Sequence, residues 1–194
     1  MSIVLYLHGF QSSPQSHKAQ LTKAYVAEHL ENVSLLVPQL PNSPSKIAGQ
    51  VLRLISANPS LQVEGLKVIG SSMGGYLATW LVEKFGGKAV LINPAVKPYE
   101  LLANYTGFHV NPYTKERFYI AADDMTYLRA LNAREIAAPE MYKVLLQTGD
   151  ETLDYRQAEQ KYVGSDMTIE QGGDHSFVNF ERHLPAIFEF LLDR

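Results

Sequence analysis

The chain has 194 residues, a length that fits one domain able to bury a full core. At 46% hydrophobic and 19% charged, with net charge −3 and its 17 Lys and Arg scattered, it has the composition of a folded domain, with no basic stripe for a nucleic-acid backbone. It has no cysteine, which excludes disulfides, iron–sulfur clusters, thiolate zinc sites and cysteine nucleophiles.

The opening stretch MSIVLYLHGF predicts a strand over 3–7. It is too short an apolar run for a signal peptide and has no basic leader. No window reaches the length of a membrane span, so a cytoplasmic protein is expected. A serine followed by proline then predicts a helix over 14–30, with proline at its first position. After a strand at 35–37, Ser43 and Pro44 repeat that signal, and Ile47, Val51, Leu54 and Ile55 mark one apolar stripe of a second helix. A strand at 66–69 leads into a helix over 74–85, which Gly86 ends. Further strands are predicted at 89–92, 142–147 and 167–170, and further helices at 157–162 and 183–192.

The strands read as continuous apolar runs, as expected where helices cover both faces of a sheet. Their alternation with helices predicts parallel βαβ units with right-handed crossovers. The fold class is therefore α/β: a doubly wound, mostly parallel sheet of about six strands in a single domain, 1–194. One stretch breaks the alternation. Residues 95–132 hold Tyr99, Tyr105, Phe108, Tyr113, Phe118, Tyr119 and Tyr127, and are too long for an ordinary connection. They read as a helix pair packed on the sheet, as a small lid bringing aromatics over a pocket, or as both.

The strand–helix junction at 66–81 carries GSSMG, which fits G-x-S-x-G with Gly70, Ser72 and Gly74 in the fixed places. A nucleophile there stands at the carboxyl edge of the sheet on a turn too tight for flanking side chains. The following helix aims its free N–H groups at the reacting centre. A bare pentapeptide is weak evidence, since small residues also soften structural turns. Strand before and amphipathic helix after strengthen it, and Ser72 is the candidate nucleophile. Ser71 occupies a variable position and is expected to face the packing.

A serine needs a base, and the base an orienting acid, in the chain order Ser, acid, His. Of six histidines, His17 and His29 fall in the first helix, His109 in the insertion and His183 in the last helix. His175 alone sits in a glycine-flanked loop, GGDHSF, beyond the final strand, and is taken as the base. For the acid, Asp150 follows Gly149 directly after a strand. Asp154 opens DYRQ, which has the form of a helix cap with Gln157 at its third position. Asp150 is therefore chosen, with Glu151 beside it left open. Asp174 adjoins His175 and suits a turn. The oxyanion hole would combine the N–H groups of Met73 and of Phe10 in the loop LHGFQSSP. His8 is assigned to holding that loop in shape. His8, His175 and Asp174 match no recognised metal-ligand spacing, so neither metal nor cofactor is expected.

HGFQSSP, GSSMGGYLA, INPAVKPYELL, NPYT, QTGDETLDYRQA and GGDHSF, in this order, resemble the small bacterial YqiA-type esterases of the α/β-hydrolase superfamily, over nearly the whole chain. The resemblance implies the α/β-hydrolase fold and a Ser–Asp–His hydrolase acting on carboxylic esters. It carries the triad onto Ser72, Asp150 and His175. Asp154 stands where many superfamily members have proline, and the cap is minimal.

Three functions follow. A serine carboxylesterase working through an acyl-enzyme on a small-molecule ester comes first. An acyl-CoA thioesterase is the alternative, with Lys97, Lys115 and Arg117 available to phosphates, although scattered charges are usually solvated surface. A non-catalytic binding protein on this fold is the third, disfavoured because no triad member is missing.

Overall fold

In the computed structural model, which describes residues 2–193, the apolar runs pair as parallel strands with a hydrophobic core on each face of their sheet. In chain order the elements begin with β1 (Ser2–Leu7), α1 (His17–His29), β2 (Val33–Leu36), α2 (Pro44–Ala57) and β3 (Leu66–Ser71). Next come α3 (Met73–Phe85), β4 (Gly87–Ile92), α4 (Pro98–Leu102), β5 (Gly107–Val110), β6 (Arg117–Ile120) and α5 (Asp124–Ala130). The chain closes with β7 (Tyr142–Gln147), α6 (Tyr155–Lys161), β8 (Asp166–Glu170) and α7 (Leu184–Leu192).

Among the described residues six strands form one sheet in the order β2-β1-β3-β4-β7-β8, every pair parallel. Side chains alternate between its faces, and both are covered. Leu5, Leu7, Val68, Leu91 and Val144 pack with residues of α2 and α3. Val4, Tyr6, Ile69, Val90 and Leu145 pack with Ala19 and Val26 of α1 and with Ile187, Phe188 and Leu191 of α7. The strand order reverses between β1 and β3, and in sheets of this kind a crevice opens beyond the carboxyl ends of the strands at that point. The loops carrying Phe10 and Ser72 leave the sheet there.

Several element starts differ from the sequence reading. The first helix begins at His17, not at residue 14. Ser13 accepts the Gln15 N–H with its hydroxyl and the Ser16 N–H with its carbonyl, both at 3.0 Å, so this serine and Pro14 form a turn ahead of the helix. Helix α2 does begin at Pro44, but its capping acceptor is distant in sequence: the Ser45 N–H donates to Asp124 Oδ1 at 3.1 Å. Helix α6 starts at Tyr155, two residues early, behind Asp154, which accepts the Arg156 N–H. The last helix is preceded by a 3-10 turn, Phe180–His183, so its α-helical part begins at Leu184.

The 95–132 segment is more than a helix pair. Between α4 and α5 lies an antiparallel hairpin, β5–β6. Phe118 and Ile120 turn inward while Arg117 and Tyr119 face out, a period-two pattern that aromatic and β-branched residues favour. At its tip, Asn111 Oδ1 accepts the N–H groups of Tyr113 and Thr114, at 2.9 and 3.1 Å.

Candidate active site

Ser72 occupies the turn between β3 and α3 with φ 55° and ψ −119°, a backbone conformation that a residue with a side chain rarely adopts. The turn is held from several sides. The Ser72 N–H donates to Ile92 O at 3.0 Å, and the Ser72 carbonyl accepts from Gly75 and Ala95 at 2.9 and 3.0 Å. The two flanking glycines have steric causes. A Cβ at Gly70 would lie 2.4 Å from Gly74 O, and one at Gly74 would lie 1.9 Å from Leu7 O. Helix α3 thereby starts hard against the end of β1, with Ser72 at its N-cap position and the partial positive charge of its N-terminus close by.

The loop after β8 brings His175 to this serine. His175 Nε2 lies 3.0 Å from Ser72 Oγ, and His175 Nδ1 lies 2.8 Å from Asp150 Oδ2. The Asp150 side chain is almost fully buried, at 2% exposure, while the His175 side chain is a quarter exposed. Asp150 Oδ1 also accepts the N–H groups of Thr152 and Leu153, at 2.9 and 2.8 Å, which fixes the carboxylate plane. With Asp150 accepting from Nδ1–H, Nε2 is left as an acceptor facing the Ser72 hydroxyl. The other acids have different partners. Glu151 accepts the backbone N–H of His175 at 3.0 Å, Asp154 caps α6, and Asp174 takes the Ser176 hydroxyl and, on its carbonyl, the Phe177 N–H.

The loop after β1 lies alongside. A Cβ at Gly9 would meet Ser72 Cβ at 3.4 Å, so this strand end passes in contact with the serine. The next residue, Phe10, packs edge-on against Phe118 of the hairpin, with ring centres 5.8 Å apart. Among the described residues, the Phe10 and Met73 N–H groups donate to no protein acceptor. His8 is buried, its Nδ1–H donates to Gly9 O at 2.8 Å and its Nε2 accepts the Leu40 N–H at 3.0 Å. Burial lowers its pKa below the ordinary histidine value, partly offset by the bond to Gly9. A neutral ring is what the Leu40 bond requires. The turn at Asn111 ties the hairpin to the same loop, since its Nδ2 donates to Ser12 O at 3.1 Å and to Asn42 Oδ1 at 2.7 Å.

Two residues that the sequence reading passed over organise the site from beneath. Asn93, at the end of β4, is buried with φ 40°, donates its amide to Asp174 O at 3.1 Å and accepts the Gln147 N–H at 3.0 Å. The buried Gln147, at the end of β7, accepts from the N–H groups of Asp174 and Val178 and donates to Val178 O and Glu170 Oε2. Its amide thus makes four bonds and braces the His175 loop at two points. The only sequence signal was a polar residue following the apolar run Val144–Leu146.

Ser72, His175, Glu151 and Tyr113 line one cleft of about 360 Å3. Lys97 lies 3.6 Å from Glu100 and Lys115 donates to Pro112 O, so both have local partners. Arg117 lies on the exposed face of the hairpin. Among the described residues no group of three or more His, Asp and Glu is arranged to hold a metal ion, and no helix is long and apolar enough to cross a membrane.

The model of the family described as "Uncharacterised protein family (UPF0227)" matches residues 3–192. Solved structures with the same fold are more distant in sequence. A protein of Agrobacterium vitis S4 described as a candidate hydrolase is 17% identical, with a TM-score of 0.69 over 98% of this chain and 88% of its own. Est1E from Butyrivibrio proteoclasticus, with ferulic acid bound, is 13% identical, with a TM-score of 0.68 over 100% of this chain and 89% of its own. Alpha/beta hydrolase domain-containing protein 10 from mouse is 17% identical, with a TM-score of 0.65 over 98% of this chain and 89% of its own. The fold is that of the α/β hydrolases.

Proposed function

The chain belongs to the YqiA-type family UPF0227 and has the α/β-hydrolase fold, and from that premise we propose that it is a serine esterase cleaving carboxylic esters through an acyl-enzyme. The observation that carries the reading is the pair of bonds made by His175, to Ser72 Oγ on one side and to the buried carboxylate of Asp150 on the other.

In this mechanism Ser72 Oγ attacks the ester carbonyl carbon while His175 Nε2 takes its proton. Asp150 holds the imidazole in the tautomer that leaves Nε2 free and stabilises the imidazolium that forms. The carbonyl oxygen, now an oxyanion, accepts from the Phe10 and Met73 N–H groups, two donors worth several kcal/mol between them. Collapse of the tetrahedral intermediate expels the alcohol, which takes the proton from His175. Water then attacks the acyl-enzyme, with His175 as its base, and frees the acid and Ser72. The 95–132 segment is the cap of this site: Phe118 supports Phe10, Tyr113 borders the cleft, and Asn111 fastens the cap to the oxyanion loop.

A fluorophosphonate probe and a panel of esters and CoA thioesters of graded chain length test the reading. Labelling at Ser72 with ester turnover is the expected result. A preference for thioesters would reassign the enzyme within the same chemistry, and an unlabelled, inactive protein would make it a binding module.

A further inference from the structure

The cleft at Ser72 reaches the start of α1, where two lining side chains lack partners suited to their chemistry. Lys18, the second residue of α1, and Tyr6 of β1 line it together with Ser72 and His175. Lys18 Nζ donates to Ser176 O at 2.7 Å. The lysine ion pairs among the described residues involve Lys67, Lys97 and Lys143, and Lys18 is in none of them. The three nearby carboxylates are already engaged: Asp150 by His175, Glu151 by the His175 N–H, and Asp174 by the Ser176 hydroxyl. Burial lowers the Lys18 pKa to about 8, with Asp174 and Asp150 opposing the fall from a distance. At neutral pH this is a cation largely withdrawn from water with no anion in contact, an arrangement that costs free energy. The second observation is independent. The Tyr6 ring is fully buried and its hydroxyl has no hydrogen-bond partner, whereas buried hydroxyls are nearly always paired.

We propose that this arm of the cleft is an anion subsite, and that the ester cleaved at Ser72 carries a carboxylate that seats between Lys18 Nζ and the Tyr6 hydroxyl. The inference rests on the serine-esterase reading above. One ammonium and one neutral donor match a singly charged carboxylate better than a doubly charged phosphate, which draws several cationic donors. Lys18 holds the carbonyl of the residue that follows His175, so the anion lies close to the reacting centre. Half-esters of short dicarboxylic acids, with carboxylate and ester carbonyl a few bonds apart, fit that spacing. Hydrolysis adds the water oxygen to the acyl carbon, returns a proton to the alcohol and releases a dicarboxylate.

The test compares kcat/KM for p-nitrophenyl half-esters of succinate, glutarate and adipate with that for uncharged p-nitrophenyl butyrate. In the wild type the half-ester of best length is favoured. Lys18→Met lowers the ratio of half-ester to butyrate at least about tenfold, the scale of one charge-assisted hydrogen bond, Lys18→Arg restores part of it, and Tyr6→Phe lowers it severalfold. If Lys18 only props the His175 loop through Ser176, both esters lose equally and the ratio holds, which overturns the proposal. Calorimetry on the Ser72→Ala protein separates this inference from the esterase reading. Glutaranilic acid, an amide that cannot turn over there, binds more tightly than uncharged butyranilide, and Lys18→Met removes the difference. Lys18-dependent binding without ester hydrolysis by the wild type keeps the subsite and removes the esterase. Robust butyrate hydrolysis with no Lys18 dependence in either measurement does the reverse.

Discussion

His175 Nε2 lies 3.0 Å from Ser72 Oγ although 103 residues separate the two in the chain. If that contact transfers the serine proton, Ser72→Ala lowers ester turnover about 10⁴-fold or more, leaving only binding and oxyanion stabilisation. The neighbouring Ser71→Ala retains most of the rate, because Ser71 belongs to β3 and is buried. Steady-state rates on a simple ester for both variants check this, and a dead Ser71→Ala would place the nucleophile one residue earlier.

The two aspartates of the loop after β7 divide by partner, His175 for Asp150 and the start of α6 for Asp154. Asp150→Asn keeps the fold and lowers turnover by up to about 10⁴-fold, since the amide supports neither the required tautomer nor the imidazolium. Asp154→Ala costs about 1 kcal/mol of stability through the lost cap, with a modest kinetic change. Turnover and Tm measured on both distinguish the roles, and the reverse pattern would exchange them.

Gln147→Leu removes the amide that joins β7 to the His175 loop and leaves the N–H groups of Asp174 and Val178 without their side-chain acceptor. The expected stability loss is about 2 kcal/mol, at roughly 1 kcal/mol for each of the two N–H bonds lost. Turnover measured well below the lowered Tm falls about 100-fold, the scale of an ångström-sized displacement of a reacting group. Wild-type turnover in a destabilised Gln147→Leu protein would make the residue structural only.

His8 sets a pH dependence of stability. Its folded pKa is lowered, so below its unfolded value of about 6.5 the unfolded chain binds a proton that the folded chain resists. Its contribution is therefore fully present above about pH 6.5 and is lost as pH falls through the folded value. His8→Gln cannot titrate, and its Tm falls less steeply than that of the wild type between about pH 6.5 and pH 5. Parallel Tm curves would show that the ring is not the titrating group.

By itself the sequence determined what depends on neighbours in the chain. The apolar run ending at Ile69, the glycines around Ser72 and the amphipathic stretch after it are sufficient for a strand, a tight turn and a helix, and the family motifs are ordered along the chain. The Asp154 cap was equally legible, since its acceptor and the N–H it binds are two residues apart. What tertiary structure alone decided are relationships across the sheet. Asn93 and Gln147 carry no local signal of their role, which exists only because the ends of β4, β7 and β8 lie side by side. The cap of α2 comes from Asp124, 79 residues beyond Ser45, so no local pattern records it. The turn of Ser13 and Pro14 was misread as a helix start because a serine hydroxyl can bond a nearby N–H in either structure. The β5–β6 hairpin escaped notice because its strands are four residues each, too short for a period of two to stand out from the aromatic composition around them. Nothing local in the sequence sets Lys18 apart from the other scattered charges, and only the tertiary structure places it in the cleft with Ser72, bonded to Ser176 O.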